Sequence, residues 1–177
     1  MDTRQLLARY VAQELNFAGI VLRGACLQGK MLSRINLAHA DLSAADLSNV
    51  DLSGACLEQA NLTNAELNGA NLVDANLAEV NLIGAELVGA DLTSADLSGA
   101  DLRCANLRGA NLSCANLTDV NLSGADLSEA DLRFAKLAGT DLSLADLTRA
   151  NLMGSDPNGG DRKYAGTSHH WVTWAGR

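Results

Sequence analysis

The chain has 177 residues with 21 acidic against 13 basic side chains, a net charge of −8 and a pI near 4.7. That is one domain's worth of chain. The charge speaks against binding a phosphate backbone or an anionic membrane surface, because both draw affinity from clustered Lys and Arg. Aromatic residues make up 3% of a chain that is 47% hydrophobic, so its apolar mass is Ala and Leu, which suits a repetitive core better than a core of mixed shapes.

Residues 1–14 form the first predicted element. Asp2 followed by Gln5 reads as a capping box, and Leu6, Leu7, Tyr10 and Val11 share one face of a helix over about residues 3 to 14. The expected role is an N-terminal plug lying over Phe17, with a partner-binding helix as the sharper alternative. Arg4, Arg9 and Glu14 interrupt its apolar residues, and no continuous apolar run or small-residue cleavage site follows. Neither a signal peptide nor a membrane span is written here, and a cytoplasmic protein is the expectation.

Residues 15–154 then repeat in fives. With Phe17 as the first centre, every fifth residue from Leu22 to Leu152 is leucine, which makes 28 units without insertion or deletion. A helix brings side chains to one face every 3.6 residues and a strand every two, so neither sets this period. Two residues before nearly every centre stands a small or β-branched side chain, usually Ala, and Lys30 is the one long charged residue in that column. Asp or Asn usually precedes the centre. The two residues after it vary, and all twelve glycines within the units fall at the second of them. Glycine collects where the backbone turns tightly or takes positive φ. Each unit therefore reads as a short extended segment plus a corner, and a chain that turns at every unit winds into a solenoid with a leucine column inside.

The phrase A(D/N)LXX, as in Ala90-Asp91-Leu92-Thr93-Ser94 or Ala110-Asn111-Leu112-Ser113-Cys114, resembles the pentapeptide-repeat family, and long uninterrupted runs of it look especially like cyanobacterial members. The resemblance implies an all-β fold: a right-handed quadrilateral parallel β-helix with four units per coil, hence about seven coils. At the strand spacing of about 4.8 Å such a rod is on the order of 34 Å long.

Residues 155–177 leave the pattern and hold the only proline, Gly159-Gly160, and the pair Trp171 and Trp174. This Gly-rich, polar tail reads as loop in its first half. Two large rings are costly to leave in water, so they are candidates to fold back over the last coil as a partial cap, or to join two molecules as a homodimer through the C-terminal end. His169 and His170 lack a third ligand nearby, and no metal or other cofactor is expected.

With 20-residue coils, one surface column reads Asp46, Glu66, Glu86, Asn106, Asp126, Asp146, an acidic stripe. Asp and Asn before the centre are read first as acceptors for nearby backbone at the corners. Val73, Ile83 and Val88 break the small-or-polar rule just after the centre, with Arg103 and Arg108 one coil above Ile83 and Val88. Apolar residues beside Arg are an interface signature, so these five are the candidate partner site. Phe134 and Leu144, at the usual glycine position, make a thinner case.

Catalysis finds no support: His39 stands alone in the repeats, and a filled rod offers no cleft. The four cysteines fall on different coils or opposite faces, so no disulfide is expected. The expected function is a non-enzymatic scaffold for an unidentified protein partner, with no direct contact to nucleic acid or membrane. The alternative is implied by the resemblance, since the family includes quinolone-resistance proteins that act on DNA gyrase: a DNA mimic. Residues 15–154 carry 17 acidic and 8 basic side chains, which over about 34 Å is less than half the charge density of duplex DNA.

Overall fold

Residues 1–156 are described by the computed structural model of the protein. The chain enters through α1, Thr3–Val11. Its start is set by the reciprocal bonds of the capping box: the Gln5 N–H donates to Asp2 Oδ1 at 2.8 Å and the Asp2 N–H to Gln5 Oε1 at 3.2 Å. The helix stops short of the expected residue 14. Gln13 takes a left-handed φ of 67°, and the N–H groups of Gln13 and Glu14 turn back to the carbonyls of Tyr10 and Arg9. Arg9 then clamps the connection by pairing with Glu14, its guanidinium 5.3 Å from the Phe17 ring centre.

Leu6 is fully buried in the same core as the repeat leucines, Leu7 and Tyr10 pack against it, and the Tyr10 hydroxyl donates to the Ser33 carbonyl at 3.0 Å. Val11 does not join them and is 77% exposed. It lies about 140° around the helix from Leu6, whereas Tyr10 lies about 40° away, so one helix face cannot hold all four side chains. Trp171 and Trp174, with the rest of the expected C-terminal cap, lie outside the described residues.

From Asn16 onward the residue before each centre forms a parallel bridge with the residue 20 positions later, from Asn16↔Asn36 to Lys136↔Asp156. One unit shows the bonding. The Asn81 N–H donates down to Ala60, the Leu82 and Gly84 N–H groups donate up to Asp101 and Arg103, and the Ala85 N–H closes the corner onto Leu82. Four units therefore complete one turn, and each makes one side. Turning every five residues leaves only one bridged residue per side, too few for a named strand among the described residues. The first side bears Asn16, the second Val21, the third Cys26 and the fourth Met31, each repeating at 20-residue intervals.

The centre leucines and the small residues two before them point inward. From Leu27 to Leu137 every centre is at most 2% exposed. Lys30 escapes burial because it belongs to the first coil, beneath which only α1 lies among the described residues.

In every unit but one, the second residue after the centre has a left-handed φ, between 54° at Gln59 and 75° at Gly154. That is the demand of a type II turn on its third residue, and it explains why glycine falls only there. The exception is the unit centred on Leu142. Leu144 avoids positive φ, and the ladder slips by one residue, so that the Gly124 N–H meets the Leu144 carbonyl at 2.9 Å where the pattern would offer Ser143.

Non-glycine corner residues lean over the coil above. A Cβ added at Gly84 would lie 2.6 Å from Asn64 Oδ1, whereas one added at Gly89, at nearly the same φ, would meet nothing within 4 Å. Gly89→Ala is therefore expected to cost about 1–2 kcal/mol from backbone conformation alone, and Gly84→Ala more. Adding Asn64→Ala should bring the second cost down to the first, which a double-mutant cycle in urea checks. Equal costs for the two single variants would show that Asn64 swings away freely.

Candidate functional site

With the interior filled by Leu and Ala, the groups able to act are on the four sides and the ends. Asp46, Glu66, Glu86, Asn106, Asp126 and Asp146 bridge in succession along the third side. Its aspartates hold corners. Asp46, Asp126 and Asp146 each accept the N–H two residues on, at 2.8–3.0 Å, and Asp41, Asp91 and Asn111 do the same on other sides. This is a carboxylate or amide completing a turn.

The glutamates differ. One methylene longer, Glu86 does not serve its own corner. The Val88 N–H is instead met at 2.9 Å by Asn68 Oδ1 from the coil below, and the Glu86 carboxylate accepts from Asn106 Nδ2 at 2.8 Å. Glu66 and Glu86 are both exposed and stand in adjacent rungs, leaving the middle of the stripe as carboxylates directed to solvent. Periodicity alone does not mark Asn68; an Asn two residues after a Glu at this position is the available signal.

The five-residue apolar site does not form one patch. Val73 is on the fourth side, Ile83 on the second and Val88 on the third, so Val73 and Ile83 lie on opposite sides of the rod. Val88 is 39% exposed, and Val73 and Ile83 are half-buried. Arg103 sits one coil above Ile83 but is engaged bidentately by Asp101, with its Nε and terminal nitrogen 2.7–3.1 Å from the carboxylate oxygens. Arg108, one coil above Val88, reaches Glu129 at 3.4 Å. Two separate pairs, Ile83 with Arg103 and Val88 with Arg108, remain. Phe134 and Leu144 are both exposed and stand on opposite corners.

A further feature is the segregation of charge. Residues 1–34 contain five basic and two acidic side chains. Residues 35–94 contain nine acidic ones and not a single Lys or Arg. Glu66, Glu86, Val73, Ile83 and Val88 all fall in this second stretch.

Electrostatics follow the corner bonds. The Ser43 hydroxyl and N–H hold the Asp41 carboxyl below the usual range, and the Thr148 hydroxyl and N–H do so for Asp146. Arg103 and Arg133 lower their partners Asp101 and Asp131. Burial pushes Asp96 upward, but the Ser98 N–H and hydroxyl with the Asn116 amide outweigh it. Among the described residues no three His, Cys, Asp or Glu side chains gather to hold a metal, and no helix is long and apolar enough to cross a membrane.

A 20-residue parallel ladder with a corner at every fifth residue defines a four-sided β-helical solenoid. The family model for pentapeptide repeats matches in eight copies over residues 16–54, 55–93, 90–128 and 125–156, and the chain belongs to that family, whose members fold as right-handed quadrilateral β-helices. Among solved structures, it is similar to HetL, a pentapeptide repeat protein involved in heterocyst differentiation regulation in the cyanobacterium Nostoc sp. strain PCC 7120. The identity is 33% over 89% of this chain and 93% of that one, with a TM-score of 0.44. Rfr23 from the cyanobacterium Cyanothece 51142 is 30% identical, covering 73% of this chain and 96% of its own, with a TM-score of 0.46. QnrB1, a plasmid-mediated fluoroquinolone resistance protein, is 23% identical over 81% of this chain and 83% of that chain, with a TM-score of 0.52. No curated protein matches the chain.

Proposed function

We propose that this chain is a non-enzymatic interaction rod of about seven coils, plugged at its N-terminal end by α1, that docks a protein partner on the acidic stretch 35–94. The observation that carries this reading is the charge pattern: nine carboxylates without an intervening cation, with Val88 exposed beside Glu66 and Glu86. A carboxylate field selects basic partners and speeds their encounter, while a partly exposed aliphatic supplies the anchor. The test compares crosslinked capture from the host lysate by the wild type, by Glu66→Lys with Glu86→Lys, and by Ile83→Asp with Val88→Asp. Loss of the same protein from both variants, with salt-sensitive capture by the wild type, is expected. Unchanged capture by both would end the reading.

A second reading, mimicry of DNA toward gyrase, gains from the same segregation. Averaged over the rod the acidic charge is too sparse, but three coils span about 14 Å, a length over which duplex DNA carries about eight charges. Residues 35–94 carry nine. Inhibition of gyrase supercoiling by the wild type and its loss in the Glu66→Lys, Glu86→Lys variant would favour mimicry over a scaffold.

A further inference from the structure

The two ends of the rod are finished differently. Beneath the first coil, α1 supplies Leu6, and Phe17 and Leu22 are 4% and 3% exposed. At the other end the last layer stands open among the described residues, with Leu147 and Leu152 only half-buried. Beside it on the fourth side are two exposed apolar side chains, Phe134 at 58% and Met153 at 63%. They are adjacent: the Phe134 N–H donates to the Met153 carbonyl at 3.2 Å, and the Phe134 ring stands 2.6 Å from where a Cβ on Gly154 would be.

The described residues end at the same edge. Asp156 bridges Lys136 on the first side, one unit beyond Met153. At the next leucine position the sequence has Pro157. Beyond Asp156 lie 21 further residues, among them Tyr164 and both tryptophans of the chain, Trp171 and Trp174. The 15 residues from Asp156 to Trp171 span up to about 50 Å, more than enough to reach any point of the open end. The segment carries three basic residues against one acidic, whereas the rod is acidic, so charge also favours the approach.

We propose that the open end formed by Leu147, Leu152, Met153 and Phe134 is the docking surface of the chain's own residues 157–177, seated through Trp171 and Trp174. Each indole buries about 150–250 Å², an area suited to covering one exposed leucine layer and its apolar rim. The rod is then covered at its first end by a helix and at its last by its own tail.

Because both tryptophans lie in this segment, their fluorescence reports the occupant directly. The test records emission and acrylamide quenching of the full-length protein at low concentration, alongside Met153→Asp and Phe134→Ser variants whose fold is checked by circular dichroism, with mass followed by analytical ultracentrifugation. Blue-shifted, quench-protected emission in a monomer is expected, with a red shift and severalfold stronger quenching in each variant. Wild-type emission of fully exposed indole would overturn the proposal. So would a blue shift that appears only as the mass doubles, which would make the occupant a second copy, or variants that leave the spectrum unmoved.

Discussion

Leu97→Ala lowers the unfolding free energy by about 2–5 kcal/mol, and Leu147→Ala by distinctly less. Leu97 is fully buried, in a column with Leu77 below and Leu117 above, both at most 1% exposed. The coil cannot shrink around the lost side chain, because the Leu97 N–H is tied to Asn116 and the Leu77 N–H to Asp96 at 2.6–2.8 Å, fixing the separation of neighbouring coils. A cavity that cannot collapse carries the full cost. Leu147 is half-buried, so truncation there removes less contact and leaves no closed void. In a solenoid each repeat contacts only its neighbours, so the Leu97 variant also splits a cooperative unit, and its urea transition should broaden. Equal losses for the two variants would mean that the leucine layers are equivalent from middle to end.

How much of this was legible in the sequence depends on whether a feature is carried by a single residue or by spacing in three dimensions. The capping box is written in Asp2 and Gln5, and the inward columns in an unbroken period of five. The square cross-section is not, since period five is compatible with other numbers of sides. Its trace lies in pairs 20 residues apart, such as Asn64 with Gly84 or Phe134 with Gly154, where a corner side chain occupies the space that a Cβ on the glycine above would need. Val73 and Ile83 fall in neighbouring coils, and nearness along the chain is what groups them in the sequence. Their numbers leave different remainders on division by 20, which places them on opposite sides. Val11 failed for a similar angular reason. The charge segregation was hidden by averaging over the rod, because the basic residues of the first coil and of the coils from Arg103 onward offset the cation-free stretch between them.

Stability is also expected to fall in acid, more steeply than the exposed position of the carboxylates would suggest. Six aspartates, Asp41, Asp96, Asp101, Asp131, Asp141 and Asp146, have carboxyls held below their ordinary value in the folded chain. In the unfolded chain an aspartate protonates near pH 3.9. The unfolded state thus binds protons first, so the stabilisation is complete above about pH 4 and is lost as pH falls through the depressed folded values. The cause differs among them: Arg103 and Arg133 for Asp101 and Asp131, and corner hydroxyls and N–H groups for Asp41, Asp141 and Asp146. At equivalent corners Asn36, Asn81 and Asn121 accept the same N–H at 3.0–3.1 Å with an amide oxygen that does not titrate. Replacing Asp41, Asp96, Asp141 and Asp146 together by Asn should therefore leave the urea midpoint at pH 7 little changed and reduce the loss between pH 5 and pH 3. If the variant loses as much as the wild type over that interval, the corner carboxylates are not what makes the rod sensitive to acid. The use of both Asp and Asn before the centre then has a physical reading: either residue closes the corner, and the choice between them sets the charge that each side presents to a partner.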